Sequence, residues 1–316
     1  MKNRRTFIKQ TSAAGIHSSK ATFRLSKQNP FNDKKPIKMG EMTVNELQEY
    51  LKSNRTIILP YGLAEQHGYH LPLDTDIRNA EIMGARLAER IGCIVAPTLN
   101  YCFSGGMLTG TINVKPNTFS NMVGEIIESL ALQGFENIIV LPGHGGSESL
   151  FHLKESLRIL KWINPALKNV MLIMLPMWDY SPTWLKLFKA RDYHASEAET
   201  SLIKYWTPDV VREKVVLDEP TVAEMLREDP DSYQKRTSFT GGNNEIPFTE
   251  QRANVKVGVM GYPEKATAET GKKITDEFLE NAGSELKRII AAANDARKNG
   301  SRIEIKNDGK LKILTV

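Results

Sequence analysis

The chain has 316 residues, of which 41% are hydrophobic and 25% charged, a composition typical of a globular protein with a large buried core. Its net charge of +5 is mild, and basic residues concentrate only near the two ends of the chain, so we expect no nucleic-acid partner. Two cysteines exclude a disulfide framework. A membrane-spanning helix is excluded because no apolar run reaches about eighteen residues.

The N-terminal segment, residues 1–38, contains an incomplete export signal. Residues 3–7 read NRRTF, which resembles a twin-arginine motif. Polar residues then interrupt the apolar region that such a signal requires. We therefore expect a disordered leader over residues 1–38 and a single domain over residues 39–316. The interrupted signal favours a cytoplasmic protein, whereas a functional signal would direct it to the periplasm.

Hydrophobic periodicity predicts that helices and strands alternate through residue 206. The predicted helices are 42–53, 77–91, 119–133 and 148–163. The predicted strands are 56–61, 93–99, 138–141 and 170–175. Such alternation is typical of a parallel sheet covered by helices.

The remainder of the chain has a different pattern. Residues 207–256 are polar and rich in Pro, Gly, Asp and Asn, which predicts long excursions or a lid and no separate domain. Residues 265–294 predict a long amphipathic helix, broken or kinked near Gly283. Residues 302–313 alternate around a central turn and predict a β-hairpin.

The loop after the first predicted strand carries closely spaced candidate metal ligands. Glu65, His67 and Asp76 lie within twelve residues, and His70 shares the loop. In an extended backbone Glu65 and His67 would point to the same side. Mixed carboxylate and imidazole donors suit zinc, manganese or iron. Each residue alone is more often a surface or capping residue, as Asp76 would be before a helix, but the combination favours a metal site.

Two later segments supply further candidates. His144 lies among three glycines directly after a predicted buried strand, so it would reach the same sheet edge as the first loop. The alternative is a tight strand-to-helix turn with an incidental histidine. Residues 192–201 offer His194, Glu197 and Glu199 at a predicted helix start. Acidic residues there often only compensate the helix dipole, which does not explain the histidine.

Together these residues predict a metal-dependent hydrolase. The five candidate ligands are Glu65, His67, Asp76, His144 and either Glu197 or Glu199. Five is too many for one catalytic zinc with an open position, but it suits two metals that share a carboxylate, for which Asp76 is the candidate. The two metals would activate hydroxide, and His194 would protonate a leaving nitrogen. No GxSxG motif is present, and neither cysteine has a histidine nearby, so a serine or cysteine nucleophile is not supported.

Four residues are candidates for substrate contacts. Ser104 and Thr111 belong to a Gly-rich stretch, residues 101–117, which predicts a substrate-lining loop or a plain turn. This stretch lacks the lysine of a phosphate-binding loop, so nucleotide binding is weakly supported. Gly145 allows close approach of a ligand to the backbone. Trp178 follows the fourth predicted strand, where it would line a pocket or, more commonly, pack in the core.

The candidate residues belong to a pattern that resembles the creatininase (creatinine amidohydrolase) family. The matching blocks read EQHGYHLPLDTD at 65–76, GHGG at 143–146 and HASEAETS at 194–201. Weaker similarity occurs at residues 110–112 and 258–271, so the resemblance spans roughly residues 40–290. It implies a three-layer α/β/α fold with a mainly parallel sheet, a binuclear metal site, hydrolysis of a C–N amide-type bond and a homo-oligomer, commonly a hexamer.

The resemblance also implies roles for individual residues. It assigns metal ligands to Glu65, His67, Asp76 and His144. Creatininases have a further glutamate ligand where this chain has Gly146, so the remaining carboxylate must come from the third block, where the resemblance favours Glu199. Glu199 and His194 are then the candidate catalytic residues.

Two other departures concern the substrate. Ser147 stands where the family usually has Asn, and Tyr262 where Asp is common, which favours a substrate other than creatinine. The sequence thus predicts a hydrolase acting on C–N bonds other than peptide bonds, with a cyclic amide or formamide-type small molecule as substrate and two Zn, Mn or Fe ions per chain. The alternative is a catalytically silent member that binds a metabolite or partner.

Overall fold

The computed structural model describes residues 37–305 and 311–315. The chain divides into a unit at residues 1–35, outside the described part, and a unit at residues 36–316 that holds the whole fold described below. The predicted leader therefore lies outside the described residues, apart from its last two positions. In the described part, no helix has the length and apolar character needed to cross a membrane.

A four-stranded parallel sheet forms the centre of the fold, in the order β2-β1-β3-β4. The strands are β1 (Thr56–Tyr61), β2 (Ile94–Val95), β3 (Asn137–Pro142) and β4 (Met171–Met174). All residues of β1 and β3 are buried, as expected for apolar strands covered on both faces. Tyr61 pairs with Pro142, so the two strands end together and deliver their following loops to one edge. The predicted α/β fold with a parallel sheet is confirmed.

Helices cover both faces of this sheet. They are α1 (Val44–Ser53), α2 (Thr75–Ile91), α3 (Pro116–Leu132), α4 (Ser147–Ile163), α5 (Pro182–Lys189), α6 (Glu197–Trp206), α7 (Pro220–Leu226) and α8 (Ala268–Lys298). One core joins α1, α3 and α4 to the face that presents Ile57 and Leu59. The other joins α2, α6 and α8 to the face that presents Ile58. Alternation along β1 thus produces the three layers.

Several elements differ from their predicted form. Strand β2 is shorter than the predicted 93–99, because Pro97 has no amide hydrogen for the ladder. Helix α8 is predicted to break near Gly283 but runs through it without interruption. A Cβ at Gly283 would lie 2.9 Å from Cγ of Arg90, so this glycine allows α8 to pack closely against α2. The sequence patterns also missed α5 and α7, which are short.

Two hairpins complete the fold. Strands β5 (Gln234–Thr237) and β6 (Phe248–Gln251) form an antiparallel pair inside the polar excursion. Strands β7 (Ser301–Ile305) and β8 (Leu311–Thr315) form the hairpin predicted at the C-terminus. The first hairpin matters for the site, because the residues at its base contact the loops at the carboxyl ends of the central strands.

Candidate metal centre

Three chain segments meet at the carboxyl ends of β1 and β3. They are the loop 62–74 that follows β1, the turn 143–146 that follows β3 and the segment 192–199 that enters α6. A Cβ at Gly143 would lie 2.0 Å from the backbone oxygen of Asp76, so the turn after β3 packs directly on the first turn of α2. This close backbone packing brings side chains from distant parts of the sequence together.

Asp76 lies at the centre of this arrangement. It is buried in the first turn of α2 with 1% of its surface exposed. Its Oδ1 is 3.1 Å from Nε2 of His67, and its Oδ2 is 3.0 Å from Nδ1 of His144. The helix N-cap is Asp74, not Asp76. Asp76 thus presents one oxygen to each of two imidazoles, which a simple capping role does not explain.

Ligating atoms form two compact groups that share Asp76. Atoms of Glu65, Asp76 and His144 lie within 4.8 Å of one another, and so do atoms of His67, Asp76 and Glu199. We call these the first and second groups. A further combination that meets the same distance contains Glu65, His67 and His194. The structure therefore brings together all five side chains named as ligands, with His194 beside them.

The second group distinguishes between the two candidate glutamates. Oε2 of Glu199 is 3.6 Å from Nε2 of His67 and accepts a hydrogen bond from the backbone N–H of Ala195 at 2.6 Å. Glu197 belongs to neither group, and its own backbone N–H donates to Oδ1 of Asp192 at 2.6 Å. The geometry thus points Glu199 into the centre and leaves Glu197 at the capped helix start.

Hydrogen bonds orient the imidazole of His67 in the β1 loop and the imidazole of His194 in the segment that enters α6. Nδ1 of His67 is 3.1 Å from the backbone oxygen of Glu65, so in the neutral ring the proton is on Nδ1 and Nε2, on the side of Asp76 and Glu199, is the atom available to a metal ion. The ring of His194 lies 4.4 Å from that of His67, and its Nε2 is 2.8 Å from the backbone oxygen of Gln66. The loop backbone therefore fixes the position of both rings.

Because the centre is buried, the pKa of each titratable side chain there depends strongly on the charges of its neighbours. Burial opposes the charged form of His67, but the carboxylates of Asp76 and Glu199 outweigh it and raise the pKa of His67 well above its usual value. The pKa of His144 is raised in the same way, mainly by Glu65. The buried carboxylates of Glu65 and Asp76 and the partly buried one of Glu199 thus require positive charge close by.

The same donors fit divalent cations. Oε2 of Glu65 and Nε2 of His67 are buried and have no hydrogen-bond partner among the described residues, although both face the centre. Oxygen and imidazole donors at such separations suit zinc, manganese or iron, and two dications would compensate the three carboxylates. The residues present therefore fit a divalent metal at each group.

Comparison with known proteins agrees with this donor set. The family model for creatininase, described as creatinine amidohydrolase, matches residues 40–286. The chain belongs to the creatininase family. Creatinine amidohydrolase of Pseudomonas putida is 27% identical over 205 residues, covering 59% of this chain and 78% of the relative. The mycofactocin precursor peptide peptidase of Mycobacterium ulcerans (strain Agy99) is 25% identical over 271 residues, covering 79% and 92%.

Solved creatininase structures share the fold. A tryptophan-to-alanine mutant creatininase superposes with a TM-score of 0.65 at 23% identity, covering 80% of this chain and 98% of that chain. A creatininase described with Mn gives 0.63 at 22% identity, covering 80% and 98%. A mutant of the Zn-Zn type gives 0.63 at 24% identity, covering 80% and 97%. These likenesses confirm the expected creatininase-like, three-layer α/β/α architecture.

Of the four candidate substrate residues in this creatininase-family chain, three line a cavity at the centre and one does not. A cavity of about 640 Å³ opens onto the centre, and Ser104, Gly145 and Trp178 line it. Thr111 does not line it, contrary to expectation. Its Oγ1 accepts a hydrogen bond from the backbone N–H of Gln66 at 3.2 Å, which ties Thr111 to the β1 loop.

Ser104 has a contact that its sequence context did not suggest. Its hydroxyl donates to Oε1 of Glu65, and its backbone oxygen accepts a hydrogen bond from the Tyr233 hydroxyl at 2.9 Å. Gln251, from the same polar excursion, accepts from the backbone N–H of Met107. Tyr233 and Gln251 both line the cavity. Sequence reasoning missed these two residues, for which the only signal was the polar composition of residues 207–256.

His70 has a structural role. It is fully buried, and its Nε2 is 3.0 Å from Oγ1 of Thr200. Burial lowers the pKa of His70 to about 4, so the ring is neutral near pH 7. His70 belongs to neither ligand group. It links the β1 loop to α6, which carries Glu199.

Proposed function

We propose that this protein hydrolyses the C–N bond of a cyclic amide or formamide-type small molecule with the help of two divalent metal ions. Glu65, Asp76 and His144 would hold one ion, and His67, Asp76 and Glu199 the other. The observation that carries the proposal is the double use of Asp76, whose two oxygens face two different imidazoles. The amidohydrolase relative and the creatininases described with Mn or Zn-Zn support it.

The metal ions and the side chains around them would have separate roles in the reaction. When bound, a pair of divalent ions polarises a carbonyl and lowers the pKa of a water molecule. His194 lines the cavity next to the centre, where it would give a proton to the leaving nitrogen. Gln66 holds His194 in place through its backbone oxygen. Ser104 fixes the carboxylate of Glu65 through its hydroxyl.

A catalytically silent member that binds a metabolite is the alternative. The complete set of five donors argues against it, because loss of catalysis releases the constraint that keeps such donors together. Hydrolysis of a peptide is a second possibility within the same chemistry, since one relative is named a peptidase. A panel containing a cyclic amide, a formamide and a short peptide separates these functions. Turnover of none of them by the metal-loaded protein, together with tight binding of one, would support the silent alternative.

Metal content tests the assignment of Glu199. Glu199→Gln should lower the metal content from about two ions per chain towards one, since the amide removes a charged donor from the second group only. Glu197→Gln is the matched control, two residues away in the same helix turn, and should keep the wild-type content. Elemental analysis of protein purified without chelator measures both. Equal metal contents in the two variants would contradict the assignment.

The metal-free protein should lose stability as pH rises. Because carboxylates raise the folded-state pKa of His67 and His144, both histidines stabilise the fold fully below the unfolded value of about 6.5. That contribution disappears as pH rises through the raised pKa. The Tm of chelated protein should therefore fall as pH rises above about 6.5 towards the raised pKa values. As a control, His152→Asn, which changes a histidine outside the centre, should leave the pH dependence of Tm unchanged. A Tm of the chelated wild-type protein that rises over this pH range would contradict the raised pKa values of His67 and His144.

A further inference from the structure

The cavity at the metal centre continues along α4 and β4. Its walls there are formed by Lys154, Leu157, Arg158 and Lys161 from α4, and by Leu172 and Met174 from β4. Positions three and four apart share one face of a helix, and positions two apart share one face of a strand. The two faces therefore line a continuous extension of the cavity, which we call the distal arm.

The length of the distal arm exceeds what a small ring requires. Ser147, the first residue of α4, lines the part of the cavity next to His144. At about 1.5 Å per helical residue, Lys154 lies about 10 Å further along the helix axis and Lys161 about 21 Å. A substrate of creatinine size would occupy only the part beside the metal ligands.

The distal arm has apolar walls and a basic end. Leu157, Leu172 and Met174 supply apolar surface. Asp179 also lines the cavity, and the positive charge of Lys154 partly offsets the rise in the pKa of Asp179 that burial causes, but the described residues include no ion pair between the two. This combination suits a ligand with an apolar chain and a negative end.

The three basic residues differ in how far their charge is already compensated. Arg158 donates to both carboxylate oxygens of Glu155, at 2.8 and 2.6 Å. Lys161 donates to the backbone oxygen of Val170 at 2.7 Å. Lys154 has neither an ion pair nor a hydrogen bond to any side chain in residues 37–305. Lys154 is therefore the cation best placed to receive a charged group of the substrate.

We propose that the substrate carries, beyond its cyclic amide or formamide group, an apolar arm that lies between α4 and β4 and ends in a carboxylate that pairs with Lys154. This inference rests on the proposed function and specifies its substrate class. The scissile amide would occupy the metal end of the cavity, next to His194. The arm would then span on the order of 10 Å, the length of about three extended residues.

Binding of a homologous series of probes tests this proposal independently of turnover. Monohydroxamates of linear dicarboxylic acids carry a metal-binding group at one end and a carboxylate at the other. On the metal-reconstituted protein, each added methylene should tighten Kd about two- to fourfold until the chain reaches Lys154. At that length, the free carboxylate should bind about tenfold more tightly than its methyl ester.

Variants of Lys154 test whether this residue causes the preference for the free carboxylate over its methyl ester. Lys154→Met should abolish the preference for the carboxylate at the optimal length without changing the affinity of the shortest probe, and Lys154→Arg should retain it. Lys168→Met, which removes an exposed lysine outside the cavity, should behave as wild type. If metal-loaded protein binds short and long probes equally, and charged and neutral probes equally, the proposed binding of a substrate arm is wrong but the proposed function is not. Failure to take up metal, measured on the same samples, would overturn the proposed function and the arm with it.

Discussion

Replacing Asp76 by asparagine should remove metal from both groups and lower kcat/KM by more than about 100-fold. Loss of a residue that only supports a metal ligand already costs about 10- to 100-fold in affinity or activity. Asp76 contributes to both ligand groups, and its two oxygens lie 3.1 and 3.0 Å from two different imidazoles. The amide keeps the shape of the side chain but provides one carbonyl oxygen and no charge, so neither group remains complete.

Asp74→Asn is the matched control for this change. Asp74 lies two residues earlier, and its partly exposed carboxylate pairs with Arg78 at 2.7 Å. An exposed ion pair of this kind contributes little, so Asp74→Asn should keep both metals and full activity. Metal content per chain and hydrolysis of the best substrate of the panel are the two measurements. An Asp76→Asn protein that retains two metals would refute the shared-ligand arrangement.

The central strands could be predicted well from local sequence, for a physical reason. Strands β1 and β3 are buried on both faces, so their sequences are continuous apolar runs with turn residues directly after them. The predicted ranges, 56–61 and 138–141, agree with them to within one residue. Strand β2 carries a weaker signal, because only Ile94 and Val95 pair before Pro97 ends the ladder.

The candidate ligands could be found from sequence because they are concentrated in three short blocks. The choice between Glu197 and Glu199 could not be made from residue types alone. Two positions apart on a helix differ by about 200° around its axis, so only one side chain can face the centre. Which one does so depends on how α6 packs, and the burial of Ala198 and Leu202 shows that packing in the structure.

Contacts between segments far apart in the sequence could not be predicted from any local sequence pattern. Tyr233 bonds to the backbone oxygen of Ser104, 129 residues earlier, and neither position carries a motif that suggests the other. The same limit applies to Ser104, which lines the cavity but whose sequence context gives no sign that its hydroxyl donates to Glu65. Such contacts depend on the path of the polar excursion, which turns back over the centre through β5 and β6.

Gly146→Ala should remove one metal and keep the other. A Cβ at this position would lie 2.4 Å from Nε2 of His144, a distance that forces the ring to move. The ring has little freedom, because its Nδ1 lies 3.0 Å from Oδ2 of Asp76 and 3.1 Å from Oε2 of Glu65. Displacement therefore disrupts the first group, whereas the second group does not contain His144.

The neighbouring glycine provides the control for this prediction. A Cβ at Gly145 would lie 3.5 Å from the ring of Trp178, an ordinary contact distance, so Gly145→Ala should retain both metals. Because Gly145 lines the cavity, metal content is the measurement that compares the two variants, and activity is not. About one ion per chain in Gly146→Ala, beside about two in Gly145→Ala and none in Asp76→Asn, would distinguish the two groups and identify Asp76 as their common ligand. Equal content in the two glycine variants would show that the position of His144 does not control the first group.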